Sequence, residues 1–240
     1  MAATLPLYKN VKRQLADALH QGTWRHGQML PPEPALAMQF GISVGTLRRA
    51  VGELVAEGIL VRRQGSGTFV ASHTRDVMLT RFFCIVDREG NKHFPESRTL
   101  AFRRSYADAA SAEALRIRVG APTLQIEALL SLDGTPVILD RIHLPGALFP
   151  DMTKEVFSER DTTVYALYQS RYDITVVRIE ESITAAVADT RVRMLLRLPD
   201  PAPVLRIART AYSHRDVPVD TRVRYVRTTH HRYLSMLGQR

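Results

Sequence analysis

Apolar residues in the first third of the chain recur at helical spacing in successive blocks and then change to strand-like runs. The amphipathic stretch from Tyr8 to Gln21 predicts a long helix. Leu36, Ala37 and Phe40 give an apolar face to a shorter one, and Gly41 supplies the permissive backbone for a sharp exit. Ser43 is placed to restart the chain as an N-cap, its hydroxyl accepting from a first-turn backbone N–H, a contact worth about 1 kcal/mol. Leu47, Ala50, Val51, Leu54 and Val55 then fall at i, i+3, i+4, i+7 and i+8. One face of that helix is therefore buried, and the other presents Gly45, Thr46, Arg48, Arg49, Gly52 and Glu53. Ile59-Leu60-Val61 and Thr68-Phe69-Val70 follow as strands, joined through Arg62-Arg63-Gln64 and a Gly65-Ser66-Gly67 turn.

Helix, helix-turn-helix and basic hairpin, in that order, form a reader of double-stranded DNA. The second helix of such a motif enters the major groove, where Arg is the commonest reader of guanine, so Thr46, Arg48 and Arg49 are the expected base contacts. Glycines at the hairpin tip let backbone N–H groups approach phosphate closely, while Arg62 and Arg63 neutralise phosphates and release counterions. Either part alone is more often ordinary helix packing or a solvated loop; their succession is what points to DNA.

After Val70 the pattern changes. Ala71 to Asp76 is polar and aperiodic, which places a linker at residues 73–77 between domains of residues 1–72 and 78–240. The second domain carries a partial duplication, Ala121-Pro122-Thr123-Leu124-Gln125-Ile126 and Ala202-Pro203-Val204-Leu205-Arg206-Ile207. Each copy is preceded by a helix-like stretch, Ala109 to Arg118 and Asp189 to Arg197, and followed by a strand with Pro-Val, at Pro136 and Pro218. Turns at Asp133-Gly134 and near Arg215-Asp216 make each unit a helix followed by a β-hairpin. Further strands are expected at Leu79–Val86, Arg98–Tyr106 and Thr175–Val187, with a helix over Thr162–Tyr172. The fold class is α+β: a winged helix-turn-helix and a largely antiparallel sheet with helices on a face.

Composition narrows the partners. With 45% hydrophobic and 24% charged residues the chain suits a soluble protein, and no apolar run is long enough for a transmembrane helix or signal peptide, so a cytoplasmic location is expected. The net charge is +9, and residues 1–72 hold eight basic side chains against four acidic ones, so positive charge is densest in the DNA-reading third. Cys84 is the only cysteine, which excludes an intrachain disulfide. The eight histidines show no metal-ligand spacing, so no metal or cofactor is assigned. No nucleophile elbow surrounds Ser131, Ser170 or Cys84, and Gly65-Ser66-Gly67 lacks the Lys-Ser/Thr of a phosphate-binding loop.

Residues Leu5 to Val70 resemble the winged helix-turn-helix of GntR-type bacterial transcriptional regulators. The family's motifs are matched by Pro6-Leu7-Tyr8, by Leu30-Pro31-Pro32-Glu33, by the core from Gly41 to Ala50 and by Arg62 to Val70. The resemblance implies DNA contacts from Tyr8, Lys12, Ser43, Thr46, Arg48, Arg49, Arg62, Arg63, Gln64, Gly65, Ser66 and Gly67. Two arginines common in the family are replaced, by Pro34 and Val44, which shifts phosphate and base contact to the remaining cations.

From Met78 to Arg240 the chain resembles the effector-binding UTRA domain of the HutC-type branch, whose fold is similar to chorismate lyase. The matching stretches are Gly134-Thr135-Pro136 through Asp140 to Leu144-Pro145, Thr163-Val164-Tyr165 and Pro218-Val219-Asp220. Carried over, they nominate Asp140, Thr163, Tyr165 and Asp220 as ligand contacts. The competing role for the two aspartates is pairing with a nearby arginine such as Arg141 or Arg222. Sugar-phosphate-sensing relatives carry arginines where this chain has Ala128 and Leu130, which argues against a phosphorylated sugar.

The expected function is a repressor that binds a palindromic operator as a homodimer and is modulated by a small-molecule effector. Two alternatives are an enzyme of chorismate-lyase-like fold with an autoregulatory DNA-binding part, and a nucleoid-type binder without effector.

Overall fold

The structure is a computed structural model and describes residues 6–72 and 82–235. The expected linker at 73–77 lies outside the described residues, as do residues 79–81 of the strand expected over Leu79–Val86. The chain divides into two compact units, Met1–Ser72 and His73–Arg240.

The first unit consists of α1 (Leu7–His20), α2 (Glu33–Gln39), α3 (Val44–Ala56), β1 (Leu60–Arg63) and β2 (Gly67–Val70). Its core follows the helical period: Leu47, Ala50, Val51 and Leu54 of α3 are buried, as are Val11, Leu15 and Leu19 of α1 and Leu36 and Ala37 of α2. Val55 and Phe40 are only half-buried, since they sit at the margins of those faces. The hairpin is longer than its apolar runs suggest. Arg62 pairs with Thr68 and Arg63 with Gly67, and the turn closes through Ser66 N–H donating to the Arg63 carbonyl at 3.0 Å, with Gly65 at φ +71°. The segment before α2 runs beside β2: Leu30 N–H donates to the Thr68 carbonyl at 2.8 Å and Val70 N–H to the Gln28 carbonyl at 2.9 Å.

In the second unit, β3 (Ile85–Val86) pairs with β10 (Arg232–Tyr233), and a six-stranded antiparallel sheet forms the body. Its strands are β4 (Glu96–Tyr106), β5 (Pro122–Leu132), β6 (Thr135–Pro145), β7 (Arg178–Val187), β8 (Pro203–Tyr212) and β9 (Pro218–Arg227). The helices are α4 (Ala109–Leu115), α5 (Lys154–Ser158), α6 (Val164–Tyr172) and α7 (Thr190–Leu196). Of the strand expected over 79–86, only Ile85–Val86 among the described residues joins a ladder. Phe82 and Phe83 are consecutive buried side chains, which a half-buried alternating strand cannot supply.

Strand order β4-β5-β6-β9-β8-β7 shows that the duplication is larger than helix plus hairpin. The repeated unit is strand-helix-hairpin, β4-α4-β5-β6 and β7-α7-β8-β9, related about the central β6–β9 pair. Both helices are capped by aspartate, Asp108 accepting from Ser111 N–H and Asp189 from Val192 N–H. Both end on a left-handed arginine, Arg116 and Arg197, and both hairpins carry a register shift before the turn, at Leu130/Ser131 and Ala211/Tyr212. The turn residues Asp133, Gly134, Arg215 and Asp216 all have positive φ. The helices exchange partners: α4 packs mainly on β9 and α7 on β6.

Candidate nucleic-acid interface and ligand cavity

On the first unit, Ser43 caps α3 by accepting from Thr46 N–H at 3.2 Å, and its hydroxyl lies 2.9 Å from that of Thr46. Capping holds both hydroxyls at the helix N-terminus, where base edges would lie. Arg48, Arg49, Arg62, Arg63, Gln64, Gly65, Ser66 and Gly67 are all exposed. Several of these cations are already oriented. Arg48 Nε donates to Glu33 Oε2 at 2.9 Å and Arg62 Nη2 to Glu33 Oε1 at 3.3 Å, so one carboxylate ties α3 to the hairpin. The Arg49 guanidinium lies 3.9 Å from the Tyr8 ring centroid, and Arg63 lies 4.5 Å from that of Phe69. Lys12 differs from the rest: its Nζ is 3.1 Å from Glu53 Oε2 and also pairs with Glu57, which joins α1 to α3. Burial lowers its pKa, and the two glutamates more than offset that. Pro34 stands in the first turn of α2, where its missing N–H has no helical acceptor to lose, and Val44 is half-buried at the start of α3.

On the second unit, a cavity of about 470 Å³ opens on the sheet face covered by α5 and α6. Its walls are Phe82, Phe83, the segment from Phe94 to Ser97, the sheet residues Ala128, Leu130, Asp140, Ile142, Arg209, Arg222 and Arg224, and Phe157, Ser158 and the segment from Arg160 to Tyr165. Three of the four nominated ligand contacts come together here. Asp140, Thr163 and Tyr165 line the cavity; Asp220 is fully buried outside the wall, beneath Arg222. Thr163 caps α6 by accepting from Ala166 N–H at 3.0 Å.

The aspartates are paired, as the competing reading requires, but not as expected for Asp140. Asp220 takes Arg222 Nε at 3.2 Å and Arg222 Nη2, both on β9. Asp140 receives two parallel bonds of 2.7 Å from Arg224, not from Arg141. The reason is the pleat: Arg141 points to the opposite face, where it meets Glu127, while Arg224 stands directly across the β6–β9 ladder. Arg209 Nε donates to Glu181 at 2.7 Å, and its Nη2 donates to the Phe82 carbonyl at 2.8 Å. Burial would push the Asp140 carboxyl up, but Arg224, then Arg222 and Arg209, hold it below its ordinary value. Burial raises the Tyr165 phenol.

Residues 7–70 match the family model for bacterial regulatory proteins of the gntR family, and residues 90–232 match the UTRA domain. The chain belongs to the GntR family. Within it, this GntR regulator is 30% identical to the histidine utilization repressor of Pseudomonas putida over 213 residues, 88% of this chain and 84% of that protein. It is also 30% identical to the protein named probable fructoselysine utilization operon transcriptional repressor in Escherichia coli K12, over 89% of this chain and 87% of that one. Among solved structures, the ligand-binding domain of a GntR-family regulator from Bordetella bronchiseptica matches with TM-score 0.63 and 30% identity, covering 66% of this chain and 98% of that one. PhnF from Mycobacterium smegmatis matches with TM-score 0.55 and 26% identity, covering 96% and 100%.

The GntR chain is thus a transcriptional repressor with a C-terminal effector-binding domain of the HutC type. Among its described residues no helix is long and apolar enough to cross a membrane, and no group of His, Cys, Asp or Glu is arranged to hold a metal. Motif reading missed Arg160, Arg209, Arg222 and Arg224 as cavity residues. The available signal was alternation: Asp220, Arg222 and Arg224 occupy one face of a strand whose other charged neighbours are sparse, a pattern that places charge inside a fold.

Proposed function

We propose that this repressor binds a palindromic operator as a homodimer through α3 and the wing, and that a small effector in the β5–β9 cavity weakens that binding. The observation that carries the reading is one chain holding both an exposed guanidinium face, Arg48, Arg49, Arg62 and Arg63, and a cavity of about 470 Å³. Asp140, Thr163 and Tyr165 serve as ligand contacts, with Asp220 acting through Arg222. A twofold dimer doubles the base contacts of a single winged helix and places two half-sites about 34–36 Å apart. Its homodimeric state is supported by β7, an edge strand that pairs only with β8 among the described residues and exposes Ile183 and Val187.

The test uses a duplex selected from random sequences by the protein itself. Binding should fit two protomers per duplex, and an effector that weakens operator binding must lose affinity by the same factor when operator is present. A monomer on the operator, or effector affinity indifferent to operator, ends this reading.

Glu33 supplies a further prediction. It neutralises two cations of the DNA face, and exposed pairs of this kind are worth about 0–1 kcal/mol. Glu33→Gln is expected to tighten binding to a scrambled duplex by up to about fivefold while discrimination for the selected duplex falls. Competition gel shifts at fixed salt read both quantities, and unchanged discrimination would show that Glu33 does not orient the arginines.

A further inference from the structure

Among the described residues, the guanidiniums around the cavity are not matched one to one by carboxylate partners. Arg209, Arg222 and Arg224 are each about 5% exposed, and each has a carboxylate, Glu181, Asp220 and Asp140 respectively. Arg160 is a fourth guanidinium on the wall, and its hydrogen bonds go to neutral oxygens, the Phe157 carbonyl and Ser97 Oγ, the latter at 3.1 Å. Its Nε is buried without an acceptor, and among the described residues no carboxylate bonds to it. Burial depresses its pKa, Tyr168 partly offsets that and the neighbouring charge of Arg222 adds to it, so on balance the site holds this cation at a cost. Arg160 is half-buried, and a charge partly withdrawn from water without a counterion is held at a cost that a ligand of opposite charge would offset.

The other walls define the rest of the guest. Phe82, Phe83, Phe94 and Tyr165 give aromatic surface, and Leu130 and Ile142 give aliphatic surface. Glu96 and Asp161 also line the cavity, but both are exposed, so water screens them more than it screens the half-buried Arg160.

Resting on the cavity being the effector site, we propose that the effector is a small organic monoanion, a carboxylic acid with an aromatic or apolar body, whose carboxylate pairs with Arg160. One negative charge completes the set of four guanidiniums and three carboxylates. A phosphate monoester brings close to two charges, leaving surplus negative charge beside Asp140 and facing Glu96 and Asp161. A neutral guest leaves Arg160 unmatched. Planar guanidinium and carboxylate meet in a charge-assisted pair, which gives direction as well as attraction.

The experiment uses the full chain and three matched probe sets at about pH 8, where a phosphate monoester is a dianion. These are trans-cinnamate, 4-methylbenzoate and hexanoate; their three amides; and phenyl and benzyl phosphate. Calorimetry should find at least one carboxylate bound about tenfold or more tightly than its amide and than either phosphate. Arg160→Gln should erase that preference without weakening the amide, and its unliganded Tm should change little, because relief of the unmatched charge offsets the lost contacts with Phe157 and Ser97. Should its Tm fall, Arg160→Lys, which keeps the charge, must retain the carboxylate preference. The proposal is overturned if amides bind as well as acids, if a phosphate binds more tightly, if no carboxylate of the set binds, if Arg160→Gln keeps the carboxylate preference, or if Arg160→Lys loses it. Titrating the selected operator in parallel separates the two readings. A carboxylate that binds through Arg160 without affecting operator affinity sinks the effector role and leaves the ligand class standing, whereas a phosphate that releases operator does the reverse.

Discussion

Asp140→Asn is expected to lower the stability of the effector domain by about 3–5 kcal/mol, read as the unfolding free energy from urea titration. The carboxylate accepts two 2.7 Å bonds from Arg224 and sits 3.8 Å from Arg222 Nη1, with all three residues at or below 5% exposure. Removing its charge leaves a buried guanidinium without its counterion, and that uncompensated charge is the main loss. Replacing both partners at once, Asp140→Leu with Arg224→Met, should recover most of the stability, since a buried ion pair is worth little against apolar packing of similar volume. The pair also predicts an acid limb. Because the folded-state pKa of Asp140 lies below its ordinary 3.8, its contribution is present above that value and is lost as pH falls further, through the folded pKa. Wild-type stability should therefore drop below about pH 4 more steeply than that of Asp140→Asn. Equal stability of the single variant and wild type at neutral pH would show that the pair is not held as described.

The second large effect concerns DNA. Arg48→Ala and Arg49→Ala should each cost about 1–3 kcal/mol on the selected operator and relax discrimination at the bases they touch. Both side chains leave the exposed face of α3, Arg48 steadied by Glu33 and Arg49 stacked on Tyr8. Neither contributes to the core formed by Leu47, Ala50, Val51 and Leu54, so thermal stability of the variants should stay within about 0.5 kcal/mol of wild type. Fluorescence anisotropy at one salt concentration measures the loss. If both variants keep full operator affinity, base reading lies elsewhere, with the wing the next candidate.

Much of the first unit was legible because its signals are local. The α3 period, the Ser43 cap and the Gly65 turn each depend on residues a few positions apart, and each is found where those residues stand. Legibility faded where partners are distant in the chain. Asp140 and Arg224 are 84 residues apart, and only the β6–β9 register reveals that they face one another while Arg141, next in sequence, points away. Arg160 offered less still: it lies between α5 and α6 in a segment without periodicity, and its unmatched charge emerges only when every neighbour is placed. Lys12 illustrates the same limit from the other side, since a basic residue near a DNA-reading helix also lies within reach of Glu53 and Glu57. The duplication was visible in its hairpins, but β4 and β7 diverge too far in sequence to announce themselves as its first strands.

The exchange of helices between the two repeats has an evolutionary consequence. Since α4 covers β9 and α7 covers β6, a lone strand-helix-hairpin would leave its helix without the strand it packs on and its central strand with one edge unpaired. A chain with one copy could satisfy both only by pairing with a second molecule, forming a three-strand-plus-three-strand dimer with the same central seam. The present domain is therefore what gene fusion would make of such an ancestor. The two halves differ in what they hold: buried arginines lie on β8 and β9, while β5 is apolar at Ala128 and Leu130.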